Sequence, residues 1–316
     1  MHYWWWLVFG GLVLGALALD LLVFHRHAHR ESMREAVTWS VVWVGLGLAF
    51  AVFVAVVEGR DSALAYLTAF LIEKSLSVDN LFVFVGLFAY FGVQPENQHR
   101  VLFWGILGAI VIRGLFIFVG ISLITHFHWV NYLLGAILLA TGAKLATGGE
   151  EVHPEKNLVV RWAARILPFT KEFHGESFAI RGDRGLRFTP LFLALIAVEA
   201  TDVMFAVDSI PAVLAISSDP FVVYTSNIFA ILGLRALYFV LVGALRSLKY
   251  LRPALALILV LVGVKMMVAD FYHVETWVSL LVVGVLLGGA TVLSLWETSR
   301  ERKGKNLRSK KRQGGE

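Results

Sequence analysis

Two stretches of sequence decide how this chain folds: EKSLSVDN at residues 73–80 and EATDVMFAVDSIP at residues 199–211. Each places carboxylates in the middle of a long apolar run, the first within 62–92 and the second within 189–216. A charged side chain near the centre of a bilayer costs about 2.5 to 3.5 kcal/mol on insertion scales, so such residues face a polar interior rather than lipid. The pattern predicts membrane helices around a shared polar site.

The rest of the composition agrees with a membrane protein. The 316 residues are 58% hydrophobic and only 16% charged, whereas a soluble domain has about 25% charged residues. This composition excludes a soluble enzyme. A spanning helix needs about 20 mostly apolar residues. We therefore predict an all-α polytopic protein with nine spans, at 4–24, 37–57, 62–92, 101–124, 129–147, 189–216, 221–245, 253–271 and 276–296.

Basic residues predict the orientation, because short cytoplasmic loops are enriched in Lys and Arg. Of the 28 Lys and Arg, 22 fall on one predicted side and only Arg60 falls on the other. We expect the amino terminus outside and the carboxyl terminus in the cytoplasm. No organellar transit segment precedes the first span, so the expected location is a bacterial plasma (inner) membrane.

The chain divides into six segments. We expect peripheral helices in 1–61, a first repeat of three spans in 62–147, a cytoplasmic loop in 148–188, a second repeat in 189–271, a last span in 272–297 and a basic cytoplasmic tail in 298–316. The loop shows a helical apolar pattern from Leu158 to Phe169 and an alternating pattern around 182–185. These patterns predict an interfacial helix and a hairpin. We expect the tail to be disordered near lipid headgroups.

Eleven ionisable residues lie within the predicted spans. Facing lipid, they would cost on the order of 30 kcal/mol together, so they must face one another or water. Asp20 is near the cytoplasmic end of its span. It is either a solvated residue at the helix terminus or part of a gate, and both interpretations stay open. Lys74 either snorkels or pairs with an acid. We count it with the other four basic residues as predicted structural counter-charges. The set is Asp20, Glu73, Lys74, Asp79, Arg113, Lys144, Glu199, Asp202, Asp208, Arg235 and Lys265.

Helix geometry limits which of these acids share a face. Six residues turn an α-helix by about 240°, so Glu73 and Asp79 lie on different faces, as do Asp202 and Asp208. Glu199 lies three residues before Asp202 and shares its face. All the acids can face one site only if a helix is locally broken. Pro211 predicts such a break, because proline has no amide hydrogen to donate to the carbonyl one turn earlier.

An internal repeat relates the two acidic stretches. Aligning Glu73 with Asp202 brings Asp79 onto Asp208 and Asn80 onto Ser209. Downstream, RGLF at 113–116 aligns with RALY at 235–238, and GAK at 142–144 aligns with GVK at 263–265. A repeat of three spans places its second copy upside down. Inverted repeats that meet at midplane sites are common in transporters.

These motifs resemble those of the TerC family of integral membrane proteins, including its Alx-like members. The resemblance covers essentially all nine spans. It implies export of manganese from the cytoplasm, with tellurium (tellurite) resistance as a historical label. It also implies an acidic metal site formed by Glu73, Asp79, Glu199, Asp202 and Asp208. We add Asn80 and Ser209 to the predicted metal ligands, because each adjoins one of these acids.

The residue types themselves favour a hard divalent cation. Carboxylate, amide and hydroxyl oxygens without cysteine suit Mn²⁺, Mg²⁺ or Ca²⁺, and the resemblance favours Mn²⁺. Close carboxylates in a low dielectric retain protons, which a bound cation would expel, so Mn²⁺/H⁺ exchange is the expected mechanism. The expected partners are a divalent cation, protons and membrane lipids.

Two other functions stay open at this point: export of Ca²⁺ or an organic cation, and a metal-responsive membrane sensor or scaffold. We expect no enzymatic activity, since no nucleophile-elbow, HExxH or phosphate-loop motif occurs. We also expect no prosthetic group and no nucleic-acid partner.

Overall fold

The structure is a computed structural model that describes residues 4–24, 32–127, 129–147, 157–170, 172–182, 185–244, 250–269, 271–272 and 274–313. Within these ranges the protein is all-α apart from one hairpin. The elements are α1 (Trp4–Phe24), α2 (Met33–Glu58), α3 (Arg60–Phe91), α4 (Pro95–His126), α5 (Val130–Ala146), α6 (Leu158–Ile166), β1 (Ala179–Gly182), β2 (Gly185–Phe188), α7 (Pro190–Leu214), α8 (Pro220–Ile231), α9 (Leu234–Ala244), α10 (Leu251–Met267) and α11 (Thr276–Gln313).

The helices confirm a multi-pass membrane protein. In the part of the chain that the structure describes, four helices are long and apolar enough to cross a bilayer: α2, α4, α7 and the first half of α11. The bent pair α8 and α9 makes a fifth. Helices α1, α5 and α10 contain shorter apolar segments. Every predicted span coincides with a helix or with this bent pair, while the number of nine crossings stays a prediction.

Local sequence explains where several helices begin and end. Pro95, Pro190 and Pro220 each occupy the first turn of a helix, where the missing amide proton is not needed. The Asp219 side chain accepts from the two amides that follow Pro220, which caps α8. Helix α3 ends at Gly92, whose φ of 67° is left-handed.

The predicted break at Pro211 is wrong. Helix α7 continues through Pro211 to Leu214, and α3 is also continuous across its acidic stretch. Pro211 stands in the last turn of α7, where only one backbone bond is lost. The break occurs instead between α8 and α9, which meet at 41°. Gly233 in this break has φ of +78°, and a Cβ there would overlap the Trp43 side chain.

The core is built from two sets of helix contacts. Helix α3 packs against α7 and α8, and α7 also packs against α4. Helices α5 and α10 approach each other closely where they cross. A Cβ on Gly142 would lie only 2.9 Å from the Ala256 carbonyl oxygen. A Cβ on Gly135 would lie 3.1 Å from the Gly263 carbonyl oxygen. Small residues therefore permit backbone contact at this crossing, as is common between membrane helices.

The connection between α5 and α7 contains the predicted helix and hairpin. Helix α6 covers Leu158–Ile166, and strands β1 and β2 pair in antiparallel fashion with Gly182 opposite Gly185. The loop before β1 docks on the start of α4, where Asn97 Nδ2 donates to the Gly175 carbonyl at 3.2 Å. The prediction of a disordered tail is wrong through Gln313. Helix α11 extends to that residue, and the tail is rich in Lys and Arg, which favour helix.

Candidate functional site

Arg113 of α4 is the centre of a buried polar cluster between α3, α4, α7 and α8. Its side chain is inaccessible to solvent. Its Nη1 donates to Glu73 Oε1, and its Nη2 donates to Asp202 Oδ1 at 3.2 Å. Its Nε lies 3.4 Å from Asp202 Oδ2, so the Asp202 contact is bidentate. One guanidinium thus pairs with carboxylates from both predicted repeats.

The hydroxyl and amide neighbours of the same cluster come from α7 and α8. Arg113 Nη1 donates to Ser209 Oγ at 3.4 Å and to Asn227 Oδ1 at 3.3 Å. Ser209 is seven residues beyond Asp202, which is two turns along the same helix face. Asn227 was missed by sequence reasoning. The polar run Thr225-Ser226-Asn227 inside an apolar span was the available signal.

Helix α3 presents a matching polar face. Glu73, Ser77 and Asn80 follow one another at helical spacing, and all three are buried. Asn80 and Ser209 therefore each lie two turns beyond an acid of the cluster. Within the described residues, Glu73 Oε2 and Ser77 Oγ have no hydrogen-bond partner. A buried acceptor without a donor is costly, and it is a suitable ligand for a cation.

Glu199 lies near this cluster on α7, one turn before Asp202. Its carboxylate packs directly on Gly108 of α4, where a Cβ would overlap both carboxylate oxygens. Its Oε2 is buried without a hydrogen-bond partner among the described residues. Gly108 thus creates the space that a midspan carboxylate occupies, a role that its sequence context did not reveal.

Asp208 contacts α5. Its Oδ1 accepts a hydrogen bond from Thr141 Oγ1 of α5 at 2.9 Å. The predicted angular separation of Asp202 and Asp208 is therefore confirmed. Asp79 and Asp20 lie in α3 and α1, but their side chains are outside the described part of the structure.

The remaining basic residues have varied surroundings. Lys74 Nζ donates to the Ala230 and Leu232 carbonyl oxygens at 2.9 and 3.2 Å, at the end of α8. Lys265 Nζ donates to Ser279 Oγ of α11 at 2.9 Å. These two ammonium groups thus bind neutral oxygens. Arg235 is buried and Lys144 is exposed on α5, and both take part in further interactions.

The metal-binding capacity of the described side chains is limited in this arrangement. Among the described residues, no group of three or more His, Asp and Glu side chains is close enough to hold a metal ion. Glu73 and Asp202 instead share Arg113. The cluster supplies oxygen ligands from carboxylate, hydroxyl and amide groups, which match hard divalent cations.

An all-α, multi-pass architecture with an ionic cluster buried among its helices defines a class of integral membrane proteins with a functional polar interior. Residues 58–302 match the family described as Integral membrane protein TerC family. The chain belongs to this family.

Bacterial relatives match almost the whole chain. An "Uncharacterized membrane protein STKORF319" of Myxococcus xanthus is 47% identical over 92% of this chain and 91% of its own length. A "Putative membrane-bound redox modulator Alx" of Escherichia coli (strain K12) is also 47% identical, over 94% of this chain and 96% of its own length. An "Uncharacterized membrane protein" of Rickettsia bellii is 38% identical over 89% and 94%. No solved structure matches the chain.

Proposed function

We propose that this protein is a secondary transporter that exports Mn²⁺ from the cytoplasm in exchange for protons. The observation that carries the proposal is the convergence of Glu73 from α3 and Asp202 from α7 on the single buried guanidinium of Arg113. Buried charges inside membrane helices are expensive, and they typically mark ion pathways. The proposed ligands are Glu73, Asp79, Asn80, Glu199, Asp202, Asp208 and Ser209.

Formal charge supports a divalent cargo. The carboxylates described at or next to Arg113, those of Glu73, Glu199 and Asp202, carry three negative charges when ionised, and Arg113 carries one positive charge. This sum leaves out Asp208, which contacts Thr141 of α5, and Asp79, whose side chain is outside the described part of the structure. One bound divalent cation would cancel the resulting net charge of minus two. In the proposed exchange, protons take the place of the cation at these carboxylates. Binding of Mn²⁺ would then expel protons, and this competition is the minimum requirement for exchange.

Arg113 contacts the carboxylates that the cation would bind. Its guanidinium pairs with both Glu73 and Asp202. An entering cation competes with Arg113 for the same carboxylate oxygens, so the ligands must rearrange for binding. The free Oε2 atoms of Glu73 and Glu199 supply the first contacts in this scheme.

Helix packing supports alternating access by an inverted repeat. The sequence alignment relates Gly142 to Gly263, and the same offset relates Gly135 to Ala256. If each residue is replaced by its counterpart in the other repeat, the Gly135–Gly263 contact becomes the Ala256–Gly142 contact. The structure contains both contacts, as an inverted repeat requires. Packing of α3 on α8 is likewise the counterpart of packing of α7 on α4. Rocking of one repeat against the other would expose the site alternately to each side.

The relatives named as redox modulators raise a different function. These 316 residues include no cysteine, so their side chains cannot carry out thiol–disulfide exchange. Cation transport uses the groups that the core contains. We therefore propose transport as the activity.

Cellular manganese content tests this proposal. Cells that express the wild type, Asp202→Asn, Asp208→Asn or Asp61→Asn are loaded with Mn²⁺, and retained metal is measured over time. We expect fast loss with the wild type and with Asp61→Asn, because Asp61 is exposed at the start of α3. The other two variants should retain Mn²⁺. Equal retention in all four strains, at equal protein levels, would contradict transport. Loss of Ca²⁺ in place of Mn²⁺ would reassign the cargo.

A further inference from the structure

Helix α6 and the first turns of α7 form an open cleft of about 720 Å³. Residues of α6 line most of it, and Ile196 of α7 closes one side. Ile196 is six residues after Pro190, where α7 begins, so the cleft lies near the end of a membrane-crossing helix. Volumes between about 300 and 1,000 Å³ are typical of small-molecule sites.

The lining of this cleft is strongly amphipathic. Leu158, Trp162 and Ile166 follow one another at i, i+4 spacing and are 71%, 71% and 58% exposed. Val160, on the other side of α6, is buried. We call Leu158, Trp162 and Ile166 the α6 strip. A soluble surface seldom leaves a strip of large apolar side chains uncovered, whereas a helix at a membrane surface inserts it among acyl chains.

Two arginines border the α6 strip. At 100° per residue, Arg161 and Arg165 lie about 60° and 20° from Leu158, on the edge of the strip opposite Ile166. Both side chains are exposed and both line the cleft. In the part of the chain that the structure describes, neither forms an ion pair or a side-chain hydrogen bond. Two guanidinium groups beside an apolar strip are complementary to a phosphate attached to acyl chains.

We propose that the cleft between α6 and α7 is a binding site for an anionic phospholipid. Arg161 and Arg165 contact the phosphate, and the acyl chains run along the α6 strip toward Ile196. The lipid fixes α6 to α7, the helix that carries Glu199 and Asp202. The cleft's place at the start of a membrane-crossing helix favours a bilayer lipid over a soluble ligand.

Native mass spectrometry of the full-length protein tests this site. The purified protein in detergent is titrated with phosphatidylglycerol or with phosphatidylcholine of the same acyl chains. We expect retention of one phosphatidylglycerol at concentrations where phosphatidylcholine is lost. The double variant Arg161→Gln/Arg165→Gln should weaken phosphatidylglycerol retention by about thirtyfold, since each basic residue near a membrane contributes about 1 kcal/mol.

The control is Arg181→Gln/Arg187→Gln, which removes two arginines from the nearby hairpin. It should retain phosphatidylglycerol as the wild type does. Trp162→Ala should weaken retention of both lipids. Equal retention of the two lipids by the wild type, or equal loss in the two double variants, would overturn the proposal. A dimer that Trp162→Ala abolishes would assign the α6 strip to a second copy of the chain and would also overturn it.

Discussion

Replacement of Arg113 by methionine is the most informative perturbation of the buried cluster. The substitution keeps an unbranched side chain and removes the charged guanidinium. Glu73 and Asp202 would then remain buried without a counter-charge, since the structure shows both carboxylates on this guanidinium. Removing one partner of a buried ion pair costs about 3 to 5 kcal/mol. We expect Arg113→Met to lower the free energy of unfolding by this amount.

The assay is equilibrium unfolding in mixed micelles with an increasing fraction of denaturing detergent, followed by circular dichroism. The matched control is Arg100→Met. Arg100 pairs with Glu176 at 3.3 Å, but 34% and 41% of their side chains are exposed. It also lies 5.2 Å from the centre of the Phe178 ring. An exposed pair of this kind contributes about 1 kcal/mol or less, so the control should change stability little.

A charge-free variant separates the ionic effect from packing. In the triple variant Arg113→Met/Glu73→Gln/Asp202→Asn, neither of the two side chains that Arg113 contacted carries a charge. We expect it to recover at least half of the stability that Arg113→Met loses. A loss from Arg113→Met no greater than that from Arg100→Met would refute the reasoning. Failure of the triple variant to recover any stability would also refute it.

Three further substitutions test other parts of the structure. Gly108→Ala should displace the flexible Glu199 carboxylate and reduce Mn²⁺ efflux by tenfold or more with little change in stability, measured by efflux and unfolding on the same sample. Lys74→Met should leave the carbonyl oxygens at the end of α8 without their donor and destabilise the protein by about 1 to 3 kcal/mol. Gly142→Ala should force α5 and α10 apart at a cost of about 1 to 3 kcal/mol, whereas Gly45→Ala, with open space around its Cβ, should cost nothing measurable.

The paired acids and bases were predictable from the sequence because buried charges need partners. Midspan Arg113 was predicted to be a counter-charge, and it pairs with Glu73 and Asp202. Helical periodicity alone separated Asp208 from Asp202, and the Thr141 contact agrees. These features follow from local geometry and from the cost of charge in lipid.

The bend in the seventh predicted span, 221–245, was not predictable by the same means. Proline removes a specific backbone bond, so Pro211 attracted the prediction, yet α7 continues through it. The bend lies at Gly233, where packing of Trp43 against the glycine selects a left-handed backbone. With 28 glycines in the chain, no local signal singles out this one. The contacts of Lys74 with the end of α8 and of Glu199 with Gly108 likewise depend on how distant helices pack.

Proton-coupled Mn²⁺ flux in proteoliposomes tests the central claim most directly. The purified wild type and Asp202→Asn are reconstituted, a pH gradient is imposed, and Mn²⁺ entry is followed with a fluorescent indicator inside the vesicles. We predict that the wild type moves Mn²⁺ against the direction of proton flow, that collapse of the gradient slows it, and that Asp202→Asn shows no flux above empty liposomes. Wild-type flux that is indifferent to the gradient, or equal flux in Asp202→Asn, would contradict the account.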